Sequence, residues 1–202
     1  DLFPTLTMPY AGFHDMVFAE ESSTAAFLLR ARREGVRDFG ACMAPMTAFH
    51  ILQGIETLHV RMPRHVENTR AVVGFLASHP QVSKVIYPEL ESHPDHALAK
   101  RLLPKGAGAV FSFEIKGGRP AGRKFIESLR VFSHLANVGD AKSLVIHPAT
   151  TTHYRMSDAD LVKSGITAGT VRLSIGLESS ADLIEDLDRA LNVAAKQAAA
   201  KA

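Results

Sequence analysis

Val171, Leu173 and Ile175 alternate with Arg172, Ser174 and Gly176, and this two-residue period limits the fold more than any other feature of the chain. Such alternation builds a strand with one apolar face. Arg172 then lies on the opposite face from three apolar neighbours. A guanidinium there presents a planar fork that matches a carboxylate. An arginine on a solvated sheet face is the plainer reading of the same pattern. Ala109 to Ile115 repeats the alternation and runs into the turn Gly117-Gly118. Val82 to Tyr87, closed by Pro88, and Val131 to Leu135 read as two more strands.

Helical patterns separate these strands. His93 to Leu103 reads as a short helix with Asp95 in its first turn, where the dipole favours an acid. Pro120 to Leu129 is a second helix. Asp182 to Ala195 is a final amphipathic one whose Ala/Lys end frays. The order predicts an α+β domain, a small four-stranded sheet with helices on one face. The excursion from Asn137 to Thr170 is long for a plain connection, and such loops are often functional.

Upstream, residues 1–23 lack a sustained period and read as mostly irregular. Thr24 to Phe39 reads as a helix that Gly40 ends. Pro45 opens a long helix through Met46 to Leu58, which Met62-Pro63 kinks or interrupts before it resumes over Arg64 to Leu76. A helix of that length reads as a spine joining two domains. The expected division is 1–45, 46–78 and 79–202.

Composition excludes several classes. A net charge of +2 with interspersed signs gives no basic stripe for nucleic acid. No apolar run approaches the roughly 18 residues needed to span a bilayer, and Asp1-Leu2-Phe3-Pro4 is no signal peptide. The one cysteine, Cys42, suits a reducing compartment and reads as a buried small hydrophobe. The His93/His96 and His147/His153 pairs lack the further ligands of a tetrahedral metal site, so no metal is expected. Gly106-Ala107-Gly108-Ala109 lacks the spacing of a phosphate loop and reads as a turn. Asp158, Asp160, Asp182, Glu185, Asp186 and Asp188 read as solvated or capping charges.

Several motifs in register carry a wider resemblance. Phe3-Pro4-Thr5-Leu6-Thr7, Tyr10-Ala11-Gly12-Phe13-His14, the run Met46 to Leu58 and Arg64-His65-Val66-Glu67-Asn68 come first. Ser133 to Leu144, the segment His147-Pro148-Ala149-Thr150-Thr151-Thr152-His153, and Val171 to Glu178 follow in order. Together they resemble the C-terminal part of the Cys/Met-metabolism enzymes that use pyridoxal 5'-phosphate, most closely the O-acetylhomoserine sulfhydrylases.

The resemblance implies the C-terminal part of a fold-type-I enzyme, with residues 1–45 a remnant of the large cofactor-binding domain. It implies that Arg172 and Asn137 hold the α-carboxylate of an amino-acid substrate, that Thr152 orients the arginine, and that Ser143 braces the loop. The Schiff-base lysine and the groups gripping the cofactor would lie upstream, leaving no catalytic or cofactor-binding residue in this chain and an inactive polypeptide if alone. The implied reaction is γ-replacement, giving homocysteine from O-acetylhomoserine and sulfide. The implied setting is a cytoplasmic homo-oligomer, a homotetramer, with the missing N-terminal half as partner. Methionine γ-lyase or cystathionine γ-synthase activity stays open. So does a non-catalytic α+β binding or assembly module. Residues 1–45, without an adequate core, are expected to pack against another chain or the missing half.

Overall fold

The computed structural model describes residues 2–199 and divides into two compact units, Asp1–Glu56 and Thr57–Ala202.

The second unit is built on one mixed five-stranded sheet. Its strands are β1 (Val82–Ile86), β2 (Val110–Ile115), β3 (Ser133–His134), β4 (Leu144–Ile146) and β5 (Thr170–Ser174), in the order β1-β2-β5-β4-β3. Only β3 and β4 run parallel. The alternation in β2 and β5 is realised. Phe111, Phe113, Ile115, Val171 and Leu173 form the buried face, while Arg172 pairs with Ser112 across the ladder on the other.

Five strands replace the expected four because β4 was hidden. Leu144, Val145 and Ile146 are all buried, so both faces of that short strand are apolar and no alternation marks it. The expected strand from Val131 to Leu135 shrinks to two residues.

Three helices cover the apolar face. They are the helix Leu58–Ser78, the helix Gly118–Ser128 and the helix Ser180–Ala199, which contribute Val72, Val73 and Leu76, then Ala121, Phe125 and Ile126, then Leu183, Leu187, Ala190, Leu191 and Ala194 to one core. Their spacing repeats every three or four positions, the period that puts side chains on one helical face. Phe113 meets Phe125 edge-to-face with ring centres 5.7 Å apart. Each fully buried side chain of this size contributes about 1.5–3 kcal/mol of transfer free energy.

The expected interruption at Met62-Pro63 falls elsewhere. One helix spans Pro45–Glu56 and the next begins at Leu58, with Thr57 between them (φ −100°, ψ 3°). Pro63 sits inside the second helix without ending it. Its missing N–H costs one bond to the carbonyl of His59, an exposed residue in the first turn that water can satisfy.

In the first unit a helical run extends from Ala26 to Phe39, with a wide π turn over Ala31–Val36, and stops at Gly40. Short helical turns at Pro4–Thr7, Ala11–Phe13 and Phe18–Glu21 occupy the stretch expected to be irregular. Phe18 is this unit's one fully buried large side chain among the described residues. It packs with Tyr10 and Phe13 beneath the Arg30 guanidinium, whose centre lies 4.8 Å from the Tyr10 ring. Cys42, expected to be buried, is exposed, and lies outside the small cluster around Phe18.

Asp186 overturns its expectation in the other direction. It is buried on the last helix, and its carboxylate accepts from the main-chain N–H groups of Arg130 (3.0 Å) and Val131 (2.8 Å).

Candidate functional site

Arg172 stands on the central strand. Its main chain is fixed between Ser112 of β2 and Ile146 of β4, and its half-buried side chain leaves the face opposite the helices. Nη2 donates to the carbonyl oxygen of Asn137 at 3.4 Å. Among the described residues no carboxylate lies within ion-pair distance of this guanidinium. A guanidinium carries five donors, so most of its hydrogen-bonding capacity is uncommitted within the fold.

The structure therefore brings Arg172 and Asn137 together across 35 residues of sequence. The contact uses the asparagine main chain. The side-chain Oδ1 of Asn137 accepts from the N–H of Val138 at 2.8 Å, which turns the amide into its own loop. Gly139 completes that turn at φ +79°, a conformation that side-chain-bearing residues rarely adopt.

Thr152 lies elsewhere. Its hydroxyl shares a 2.8 Å hydrogen bond with Nδ1 of His153 and makes none to Arg172. The other two threonines of that loop turn back on His147, Thr150 through the ring and Thr151 through the carbonyl.

Ser143 ties the loop to the end of β5. It is fully buried; its N–H donates to Oε1 of Glu178 at 2.7 Å, and its hydroxyl donates to Oε2 at 2.9 Å while accepting from the N–H of Gly176 at 2.8 Å. The same turn of chain is gripped from the helix Leu58–Ser78. Nδ1 of His65 reaches the Ile175 carbonyl at 2.6 Å, and Nδ2 of Asn68 donates to the carbonyls of Gly176 (3.0 Å) and Glu178 (2.8 Å). A carbonyl only accepts, so the proton of His65 sits on Nδ1. These residues stood in the motifs, yet their partners lie about 110 positions away, and no local pattern announces a contact at that distance.

A cleft of about 340 Å³ opens on the same unit. Its walls include Met62 and His65 from the helix, Gly108 to Val110 at the start of β2, Val138 and Gly139 of the loop, and Ser174 two positions after Arg172. The lining is largely apolar, with Arg61 and His65 its ionisable members. Apolar walls with few polar groups are the usual build of a small-molecule site.

His93 and His96 are locally engaged. His93 accepts from the N–H of Asp95, and His96 meets the Pro88 carbonyl. Among the described residues no cluster of three or more metal-binding side chains occurs, and no helix is long and apolar enough to cross a membrane.

Comparison with known proteins sets this geometry in a family. The family profile described as Cys/Met metabolism PLP-dependent enzyme matches residues 12–192. The homocysteine synthase of Schizosaccharomyces pombe is 45% identical over 192 residues, which is 95% of this chain and 45% of that protein. The O-acetyl-L-homoserine sulfhydrylase of Leptospira meyeri is 44% identical over 198 residues, 94% of this chain and 45% of that protein. A crystal structure described as an O-acetylhomoserine (thiol)-lyase of Campylobacter jejuni, carrying N'-pyridoxyl-lysine-5'-monophosphate, superposes with a TM-score of 0.81. It is 40% identical and covers 94% of this chain and 45% of its own. The chain thus spans somewhat under half the length of these relatives.

Proposed function

Because the chain belongs to the Cys/Met-metabolism family of pyridoxal-phosphate-dependent enzymes, we propose that it is the substrate-side portion of an enzyme making homocysteine from O-acetylhomoserine and sulfide. The observation that carries this reading is the guanidinium of Arg172, held on a central strand two positions from Ser174 of the cleft wall, with no carboxylate among the described residues within ion-pair distance. The substrate's α-carboxylate is the partner it lacks. A bidentate grip there, with the loop at Asn137 closing one side, fixes rotation of the amino acid about its Cα and so presents the bond to be broken.

Pyridoxal phosphate supplies an electron sink for carbanion chemistry when bound. The described residues do not fit it by themselves, because the cleft lining offers neither a lysine nor a carboxylate and the first lysine of the chain is Lys84, on β1. The cofactor's covalent anchor belongs, on this reading, to the remainder of the whole protein. So does the cover of the first unit, whose helix Pro45–Glu56 leaves Met46, Phe49, Ile51, Leu52 and Ile55 exposed. A patch of that length marks an interface.

The test uses the whole protein loaded with pyridoxal phosphate. Incubation with O-acetylhomoserine and sulfide should release homocysteine, measured by thiol derivatisation. Release of a 2-oxo acid and ammonia in its place would redirect the assignment to a lyase.

A further inference from the structure

The Val171 to Glu178 motif carries a residue that the carboxylate reading does not use. We infer that Glu178 is a positioning residue: its carboxylate fixes the end of the 137–143 loop against the C-terminal end of β5 and so sets the spacing between Asn137 and Arg172. The inference rests on Arg172 as the carboxylate ligand and goes beyond it.

Glu178 works as a clamp with three contacts. Oε1 accepts from the N–H of Ser143 and Oε2 from its hydroxyl, while its own carbonyl is held by Asn68. Hydrogen bonds to an ionised acceptor are roughly twice as strong as neutral ones. The partners are buried or partly so, where little water competes. The clamp also needs Gly176. A Cβ there would come within 2.4 Å of Oε2 of Glu178 and 2.5 Å of the Ala141 carbonyl oxygen, so any side chain would push the loop off the strand.

From Ser143 the chain runs back to Asn137 through a short path. The Lys142 N–H bonds Oδ1 of Asp140 at 3.0 Å, the Ala141 carbonyl accepts from Leu177 at 2.9 Å, and Gly139 turns the chain. Val138 and Gly139, in the middle of this path, form one wall of the cleft, and His65, bonded to Ile175, forms part of another. The clamp therefore joins two walls from behind without entering the cleft. A residue so placed acts on substrate only through the loop, and the position of the loop matters to the end of the substrate that Arg172 holds.

The test compares Glu178→Gln, Glu178→Ala and Arg172→Lys in the whole, cofactor-loaded protein. Glutamine keeps the shape and an acceptor for the Ser143 N–H; alanine keeps neither. The expected result is a rise in KM for O-acetylhomoserine of about 10-fold for the glutamine variant and more for alanine. The KM for sulfide and the cofactor absorbance should stay within twofold of wild type. In an Arg172→Lys background Glu178→Gln should cost little more, since both act on one grip. Hydrogen exchange should quicken in the peptide covering 136–143 and not in β2. Unchanged exchange there, an unchanged KM for the amino acid, an equal effect on both substrates, or failure of the glutamine variant to fold would each overturn the inference. If Arg172→Lys itself leaves the KM unaltered, the carboxylate reading falls and this inference with it. If Arg172→Lys acts and Glu178→Gln does not, only the inference falls.

Discussion

His147 and Thr150 share a 2.9 Å hydrogen bond between the imidazole Nδ1 and the threonine hydroxyl, while the other ring nitrogen reaches the Ala168 carbonyl at 2.9 Å. Since a carbonyl can only accept, Nε2 carries a proton. In the neutral ring Nδ1 then accepts from the Thr150 hydroxyl, which also faces the His147 carbonyl at 3.3 Å. The ring is fully buried, and burial holds its pKa below the ordinary histidine value; the charges of Arg119 and His134 add to the lowering, and the bond to Ala168 opposes it.

A depressed folded-state pKa means that the unfolded chain takes up the proton first as the pH falls. Stability from this site is complete above the unfolded value of about 6.5 and is lost as the pH drops below it toward the folded pKa. The urea midpoint of the protein should decline from pH 7.5 to 5.5, and His147→Gln should flatten that decline while lowering the midpoint at pH 7.5. Parallel curves for the two proteins would remove His147 from the account.

Arg172→Lys in the whole enzyme keeps the charge and loses the planar fork. We expect kcat/KM for the amino-acid substrate to fall by about 10²–10³-fold, or about 3–4 kcal/mol of transition-state stabilisation. The cofactor absorbance should not change. Kinetics within twofold of wild type would return Arg172 to the role of a surface arginine.

Asp186→Asn should destabilise the second unit by about 2–3 kcal/mol, because an amide N–H would face main-chain donors that now meet a carboxylate. Burial opposes ionisation of Asp186, but the N–H groups of Val131 and Arg130, with the Arg189 guanidinium, outweigh it and hold the carboxyl below the usual range. Its contribution is therefore present at neutral pH and lost as acid carries the pH through the lowered pKa. A thermal melt at pH 7 checks the first statement. A wild-type melting temperature in the variant would refute it.

A 202-residue product made without further sequence should self-associate through the helix Pro45–Glu56, whose Phe49 and Leu52 lie open to solvent. Light scattering behind a sizing column would detect this. A monodisperse monomer with a sharp cooperative melt would count against it, and Leu52→Asp should move the species toward monomer.

What could be read from the sequence was set by how far each signal reaches along the chain. β2 and β5 were legible because Phe111, Phe113, Val171 and Leu173 alternate with residues on the open face. β4 was not, since Leu144 to Ile146 is apolar on both sides. Arg172 stood out by its place in an alternating strand, and Asn137 by the motif around it; the structure puts them 3.4 Å apart, although through a main-chain oxygen. Asp186 read as a solvated or capping charge, and Glu178 and Asn68 stood in the motifs with no role assigned. Each owes its environment to groups far along the chain, and only the folded backbone reveals a carboxylate turned inward onto amides. The break between the two long helices was misplaced for a related reason: Pro63 is a strong local signal, yet its cost near a first turn is small, and the chain breaks at Thr57 instead.

The strand that joins the two halves of the sheet is also the last of the five to be made. β2 lies on one side of β5 and β4 on the other, so until Thr170–Ser174 has left the ribosome the β1–β2 pair and the β3–β4 pair have nothing to unite them. Phe111 and Phe113 must wait for Val171 and Leu173, and the growing chain carries an open edge of β2 in the interval. Pairing over that separation is slow, because loop closure precedes any gain from contact. Completing the sheet and placing its central arginine therefore depend on the same strand.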